Sequence, residues 1–242
     1  HILLAGEGAD IFAKDQGLEI VDNKYFLCRE VVNEWNEVKR AMEKKFEEKK
    51  NRGTIKIEAS SSGNTSTNTN TQYTSDKSTR NNRELYSGTV GAVVLDSNGN
   101  LSAGTSTGGP LFKMPGRIGD SPIIGAATYA NNKSLAISCT GIGEEMVRRS
   151  TSHDIHARMT YKNITLESAS EEFMSELPTS TGGFIAVDKD GNVSMPFNTE
   201  GMGRGYVRED GIAFISVLDE KRDITQTEFD LNLDFEKSFN SK

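Results

Sequence analysis

The stretch Gly88-Thr89-Val90-Gly91-Ala92-Val93-Val94-Leu95-Asp96-Ser97-Asn98-Gly99-Asn100-Leu101-Ser102-Ala103-Gly104-Thr105-Ser106-Thr107 decides how this chain is read. Thr89 to Asp96 carries the β-branched and small apolar residues of a strand, Asn98-Gly99 is a two-residue hairpin turn signal, and Leu101 to Thr107 is the returning strand. The same grammar recurs downstream in Gly183-Phe184-Ile185-Ala186-Val187-Asp188, then Asp190-Gly191, then Asn192-Val193-Ser194-Met195, and Ile212 to Val217 supplies a further strand. Between them, Glu144 to about Thr160 and about Leu166 to Leu177 read as helices. Strands and helices in this order imply an α+β fold, antiparallel sheet with helices packed on its faces.

Upstream of the hairpin the composition shifts twice. From His1 to about Arg52 the chain is mixed and then charged, and Val32, Trp35, Val38, Met42 and Phe46 recur at spacings of three and four, the mark of an amphipathic helix. Its opposite face, with Glu37 and Arg40 and with Glu48 and Arg52, reads as a solvated surface. From Ala59 to Arg83 follow Ser, Thr, Asn and Gly with Tyr73 as the sole large apolar side chain, too little to offset the entropy of ordering, so a disordered linker is expected there. Asn64-Thr65-Ser66 is a formal glycosylation sequon of the kind such composition produces by chance. The chain begins at His1 and runs at once into Ile2-Leu3-Leu4-Ala5-Gly6, which reads as the middle of an element and as a fragment or processed product.

Over 242 residues the chain is 35% hydrophobic and 26% charged, with a net charge of −7, which argues against a nucleic-acid partner. No run has the roughly 18 apolar residues of a membrane span. The three histidines are His1, His153 and His156, and the two cysteines Cys28 and Cys139. They make no disulfide framework, which fits a reducing, cytoplasmic compartment. His153 and His156 sit three apart in Ser152-His153-Asp154-Ile155-His156 without a further His or Cys nearby to complete a ligand set, so both read as structural or surface residues and no metal is expected. Gly201-Met202-Gly203-Arg204-Gly205 lacks the Lys-Ser/Thr ending of a phosphate loop and reads as a tight loop that brings backbone close to a ligand or a neighbouring strand.

With imidazole chemistry so limited, hydroxyl chemistry remains. A Thr hydroxyl needs an adjacent base, and one solution is the residue's own α-amine, whose unperturbed pKa of about 8 suits it to neutral pH. Such a Thr must be the first residue of a mature chain. Thr89 follows Gly88, opens a strand and lies just beyond the linker, so cleavage of Gly88-Thr89 would leave it with a free amine at a rigid strand end.

Five ordered motifs then carry a family likeness. Thr89-Val90-Gly91-Ala92-Val93, Thr105-Ser106-Thr107-Gly108-Gly109, Gly116-Arg117-Ile118-Gly119-Asp120-Ser121-Pro122, Thr140-Gly141-Ile142-Gly143-Glu144 and Pro196-Phe197-Asn198-Thr199-Glu200-Gly201-Met202 resemble the plant-type L-asparaginases, also called isoaspartyl peptidases. These are N-terminal-nucleophile hydrolases of αββα sandwich fold. The likeness runs from Leu4-Ala5-Gly6-Glu7-Gly8-Ala9, similar to the later part of the family's α subunit, to about Gly211. It implies that residues 1–58 are the C-terminal part of an α subunit, 59–88 a linker ending at an autocleavage site, and 89–242 the β subunit. It also implies that the family's upstream strand, a further active-site Asn and a loop for a structural sodium ion precede His1, leaving an N-terminally truncated sandwich and no cofactor within these residues.

Carried over residue by residue, the resemblance makes Thr89 the nucleophile of both self-cleavage and catalysis, with Gly88 allowing the strained turn before it. Thr107 orients Thr89. Arg117 binds the substrate α-carboxylate as a fork of donors and Asp120 the α-ammonium. Thr140 and Gly141 form the oxyanion hole and contact substrate, and Gly143 shapes the pocket. The implied reaction is acyl transfer from the side-chain amide of L-asparagine or of an isoaspartyl dipeptide, by a dimer of αβ heterodimers. A glycosylasparaginase-type amidohydrolase, a threonine endopeptidase, and a non-catalytic truncated paralogue serving as an interaction module are the alternatives. The tail after Lys221 shows no motif, although Phe229, Leu231, Leu233 and Phe235 alternate as a last strand would.

Overall fold

The structure, a computed structural model, describes residues 1–27, 29–51 and 88–218. The expected linker up to residue 87, Cys28 and the tail with its Phe229–Phe235 alternation lie outside the described residues. The chain divides into two units, His1–Asn82 and Arg83–Lys242.

The first unit is helical. Helix α1 spans Glu7–Asp15 and helix α2 Arg29–Asn51, with a short 3-10 turn at Asn23–Phe26 between them. The spacing of Val32, Trp35, Val38 and Met42 predicts a helix there, and α2 contains it. Along α2 the Lys39 ammonium lies 4.9 Å from the centroid of the Trp35 ring.

The second unit is built of antiparallel pairs. Strands β1 (Thr89–Leu95) and β2 (Leu101–Thr107) form one hairpin, with Thr89 opposite Thr107 and Leu95 opposite Leu101. Strands β3 (Thr128–Ala130), β4 (Leu135–Gly141), β5 (Gly182–Asp188) and β6 (Val193–Ser194) form a four-stranded sheet in that order. Strands β7 (Arg204–Val207) and β8 (Ala213–Ser216) make a third antiparallel pair. Both helices and antiparallel sheets are thus present, as the residue pattern implies.

Alternation along β4 decides the layering. Leu135, Ile137 and Cys139 point to one face, where they meet Met146, Ile155, Leu166, Ala169 and Phe173 from helices α3 (Gly143–Arg149), α4 (Thr151–Lys162) and α5 (Leu166–Glu176), together with Phe184 and Ala186 of β5. Ala136 points to the other face and packs with Val187, Leu101, Val93, Leu95 and Ala103, so the β1–β2 hairpin lies across this sheet. Cys139 is buried in the helix-side core, where burial pushes its thiol up to about 12 and removes it from nucleophilic chemistry.

Two expectations are corrected. The helix expected from Glu144 to Thr160 is broken at Ser150, which sits at φ 49° and ψ 49° and both ends α3 and begins α4. The break is held from outside the helices, since the amides of Ser152 and His153 donate to the carbonyls of Ala126 and Gly125 at 3.1 and 2.9 Å. Neither hairpin has a two-residue loop. In the first, Gly99 N–H donates to the Asp96 carbonyl, Asp96 N–H to the Asn100 carbonyl, and Gly99 alone of the loop has positive φ, at 79°. The Asp96 carboxylate accepts from the amides of Asn98 and Asn100 and from the Asn100 side chain, which favours this wider turn. Asp188, Asp190, Gly191 and Asn192 repeat the arrangement in the second hairpin.

Candidate active site

The inner face of the β1–β2 hairpin changes character along its length. Near the turn it is apolar, with Leu95, Leu101, Val93 and Ala103. Towards the open end it becomes Gly91, Thr105, Thr89 and Thr107. Gly91 is required there, because a Cβ would collide with the Ser138 side chain of β4. The Thr105 and Ser138 hydroxyls bond at 2.7 Å, and Thr128 donates to Thr105 and stands 3.1 Å from the Ser121 carbonyl, tying the loop after Arg117 to the same network. The register sets Thr89 opposite Thr107, and the Thr89 hydroxyl donates to that of Thr107 at 3.4 Å. Gly88, just before, has φ 107°.

Two clefts adjoin this pair. One of about 220 Å³ is lined by Thr89, Gly91, Ser138, Thr140, Met202 and Gly203, so Thr140 shares a cavity with Thr89. The other, about 440 Å³, is lined by Thr105, Thr107, Gly109, Lys113, Arg117 and Ser121 among others. Gly141 is opposite Gly182 in the β4–β5 pair and has φ 136°; a Cβ there would strike the Thr181 carbonyl. Asn198 holds this close approach by accepting from the amides of Thr181 and Gly182 at 2.9 and 3.0 Å and donating to the Pro178 carbonyl at 2.8 Å.

Arg117 and Asp120 converge on Gly143. A Cβ on Gly143 would stand 2.7 Å from Asp120 Oδ1 and 3.0 Å from Arg117 Nη2, so the missing side chain makes room for both charges. Asp120 is 8% exposed, and burial raises its pKa above the ordinary carboxylate value, partly opposed by its own backbone amide and the nearby Arg117 charge. Arg117 Nε donates to Glu144 Oε1 at 2.7 Å, which holds the Glu144 carboxyl below its usual range.

The structure thus groups Thr89 with Thr107 and Thr140, and Arg117 with Asp120 and Gly143. Glu144 and Asn198, which lie within the motifs, and Lys113, which lies between two of them, are further neighbours of the site. Of the three, Glu144 carries a signal in its adjacency to Gly143. His156 is buried with Nδ1 2.7 Å from the Ser134 hydroxyl, and its ring is 5.6 Å from that of His153. Burial first, and the His153 charge second, lower its pKa. Among the described residues no group of three His, Cys, Asp or Glu could hold a metal ion. Nor is any helix among them long and apolar enough to cross a membrane. Of the run expected to be a tight loop, Gly201–Gly203 lies outside the strands while Arg204 and Gly205 open β7; Met202 N–H donates to the Val217 carbonyl at 2.8 Å and a Cβ on Gly205 would stand 2.6 Å from the Phe214 carbonyl of β8, so the run approaches a neighbouring strand.

Thr89 and Thr107 thus face each other at the open end of the β1–β2 hairpin, and Arg117 and Asp120 converge on Gly143. A family model described as asparaginase matches residues 1–217, and the chain belongs to the asparaginase family. It is 49% identical over 144 residues to an isoaspartyl peptidase of Escherichia coli, covering 58% of this chain and 45% of that protein. It is 44% identical over 211 residues to a putative isoaspartyl peptidase/L-asparaginase of Dictyostelium discoideum, covering 86% and 60%. A probable isoaspartyl peptidase/L-asparaginase of Arabidopsis thaliana is 38% identical over 220 residues, covering 90% and 64%. The matched region spans less than two thirds of each of these relatives.

Proposed function

We propose that this chain carries the nucleophile and the substrate grip of an amidohydrolase that releases L-aspartate from L-asparagine and from isoaspartyl dipeptides. The observation that carries the reading is the Thr89 hydroxyl, placed on the first residue of β1, paired with Thr107 and opening into a cleft with Thr140. Self-cleavage of the Gly88–Thr89 bond gives Thr89 the α-amine that serves as its base. The Thr89 oxygen attacks the amide carbon while its proton passes to that amine. The Thr140 hydroxyl and the Gly141 N–H stabilise the oxyanion. The amine then protonates the leaving nitrogen, so that ammonia or an amino acid departs, and water attacks the acyl-Thr89 ester to free aspartate and restore the hydroxyl. Arg117 and Asp120 hold the α-carboxylate and α-ammonium, fixing the aspartyl half and leaving the far side of the amide open to either substrate.

On this reading residues 1–58 belong to the C-terminal part of an α subunit, 59–88 to the linker that ends at the cleavage site, and 89–242 to the β subunit. The architecture is the αββα sandwich, of which α3–α5 and the two facing sheets supply three layers. The active protein is a dimer of αβ heterodimers, needs no cofactor at Thr89, and works in the cytoplasm on small zwitterionic substrates rather than on nucleic acid or membranes. The test is aspartate release from L-asparagine and from an isoaspartyl dipeptide by the complete protein and its Thr89→Ala variant. The variant is expected to be inactive on both; hydrolysis that survives the substitution overturns the assignment.

A further inference from the structure

We propose that Lys113 is a positioning residue that fixes the Gly108–Gly109 peptide so that its N–H points at Thr107, and through Thr107 sets the oxygen of Thr89; this rests on the reading of Thr89 as nucleophile. Thr107 is the last residue of β2, and beyond it no strand ladder holds the backbone. The next two residues are Gly108 and Gly109, the latter at φ 73°. A peptide flanked by two glycines turns over without the steric cost that a Cβ imposes. Its orientation must be selected by something else.

Lys113 selects it. Nζ of Lys113 donates to the Gly108 carbonyl at 2.8 Å, and the Gly109 N–H donates to Thr107 Oγ1 at 3.0 Å. Carbonyl and N–H belong to one trans peptide and point to opposite sides of it, so an ammonium that anchors the first aims the second. The positive charge also polarises the amide and strengthens its N–H as a donor. Phe112, immediately before Lys113, is in the left-handed region at φ 56°. The lysine stem lies along the glycine pair, where a Cβ on Gly109 would stand 3.2 Å from Lys113 Cδ.

The consequence falls on the Thr pair. In the resting arrangement Thr89 donates to Thr107. When Thr89 passes its proton to its own amine, the Thr107 O–H turns to the Thr89 oxygen, and the Gly109 N–H on the Thr107 oxygen makes that hydroxyl a better donor. Lys113 acts through the peptide, while Arg117 and Asp120 keep the substrate grip. Its removal therefore lowers kcat and leaves KM in place.

The experiment compares Lys113→Met and Lys113→Arg in the complete protein, measuring kcat and KM for L-asparagine and the amide signal of Gly109 in glycine-labelled protein. Lys113→Met is expected to lower kcat by roughly tenfold or more with KM little changed, and to shift the Gly109 amide proton upfield; Lys113→Arg, which can still reach the carbonyl, recovers most of kcat. If Lys113→Met does not fold, Lys113→Leu, which likewise removes the donor, is read in the same way. An unchanged kcat, an unmoved Gly109 amide, or a loss confined to KM, which would make Lys113 a substrate ligand, overturns the proposal. Overturning it in an enzyme that Thr89→Ala inactivates leaves the nucleophile standing, whereas activity that survives Thr89→Ala removes both.

Discussion

The β1–β2 and β5–β6 hairpins of the second unit share a turn and differ in almost everything else. Asp96-Ser97-Asn98-Gly99-Asn100 and Asp188-Lys189-Asp190-Gly191-Asn192 are closed by the same side-chain and backbone bonds. Yet β5 lies between two layers and is buried along nearly its whole length, while β1 has one covered face and leaves Val90 and Val94 68% and 53% exposed on the other. The difference separates two tasks. The β4–β5 pair and its helices hold the apolar core, whereas the open end of β1–β2 is held by hydroxyls and glycine contacts and presents the Thr pair to a cleft. The apolar core and the open Thr pair thus sit on different strands of one α+β unit.

The strongest way to break this division is to cut into each side in turn. Thr89→Ala is expected to abolish turnover with a melting temperature close to that of the parent protein carrying an intact Gly88–Thr89 bond. Phe184→Ala, which empties a site 1% exposed at the Phe173 contact, is expected to cost about 3–5 kcal/mol of unfolding free energy. Calorimetry with activity measured in parallel checks the pair; equal losses of stability in both variants would erase the distinction.

Next in size is Gly143→Ala. The added Cβ would meet Asp120 and Arg117 at 2.7 and 3.0 Å, so KM is expected to rise about 10- to 100-fold while the fold persists. A KM within twofold of the parent value would mean that those two charges do not form the grip.

Acidification sharpens the same point. Because burial raises the pKa of Asp120, its carboxylate takes up a proton at a higher pH than an ordinary aspartate, and as pH falls through that raised value the attraction for the substrate ammonium is lost. KM should climb on the acid side before the ordinary carboxylate range is reached, and kcat should fall separately as the Thr89 amine, with an unperturbed pKa of about 8, becomes protonated. A KM that stays level down to about pH 4 contradicts the assignment of Asp120.

The smallest effect compares the twin turns. Asp188 is 5% exposed and anchors three hydrogen bonds, so Asp188→Ala is expected to cost about 1–3 kcal/mol. Asp96→Ala, at the exposed turn, should cost less. Chemical denaturation of both variants measures the ordering, and the reverse order would mean that the solvent-facing hairpin carries the greater share of stability.

Much of this was legible in the residues because it is local. Strand β2 begins and ends where alternation and turn chemistry place it, and α5 lies within the periodic segment from Leu166. Strand β4 was harder to read, because Leu135-Ala136-Ile137-Ser138-Cys139-Thr140-Gly141 is covered on both faces and its small residues blur the alternation that marks a one-sided strand. The break at Ser150 depends on carbonyls of Gly125 and Ala126, some 25 residues away in sequence, and no local signal contains them. The motifs name Thr89, Thr107, Arg117, Asp120, Thr140, Gly141 and Gly143. The engagement of Arg117 by Glu144 and of Gly108 by Lys113 required the three-dimensional arrangement.

The central claim is that Thr89 becomes a chain terminus, and N-terminal sequencing with intact-mass analysis of the complete purified protein tests it most directly. The account expects two fragments after incubation, one of them beginning Thr-Val-Gly-Ala-Val. A single uncut chain that nevertheless hydrolyses L-asparagine would contradict it, because Thr89 would then have no α-amine to act as its base.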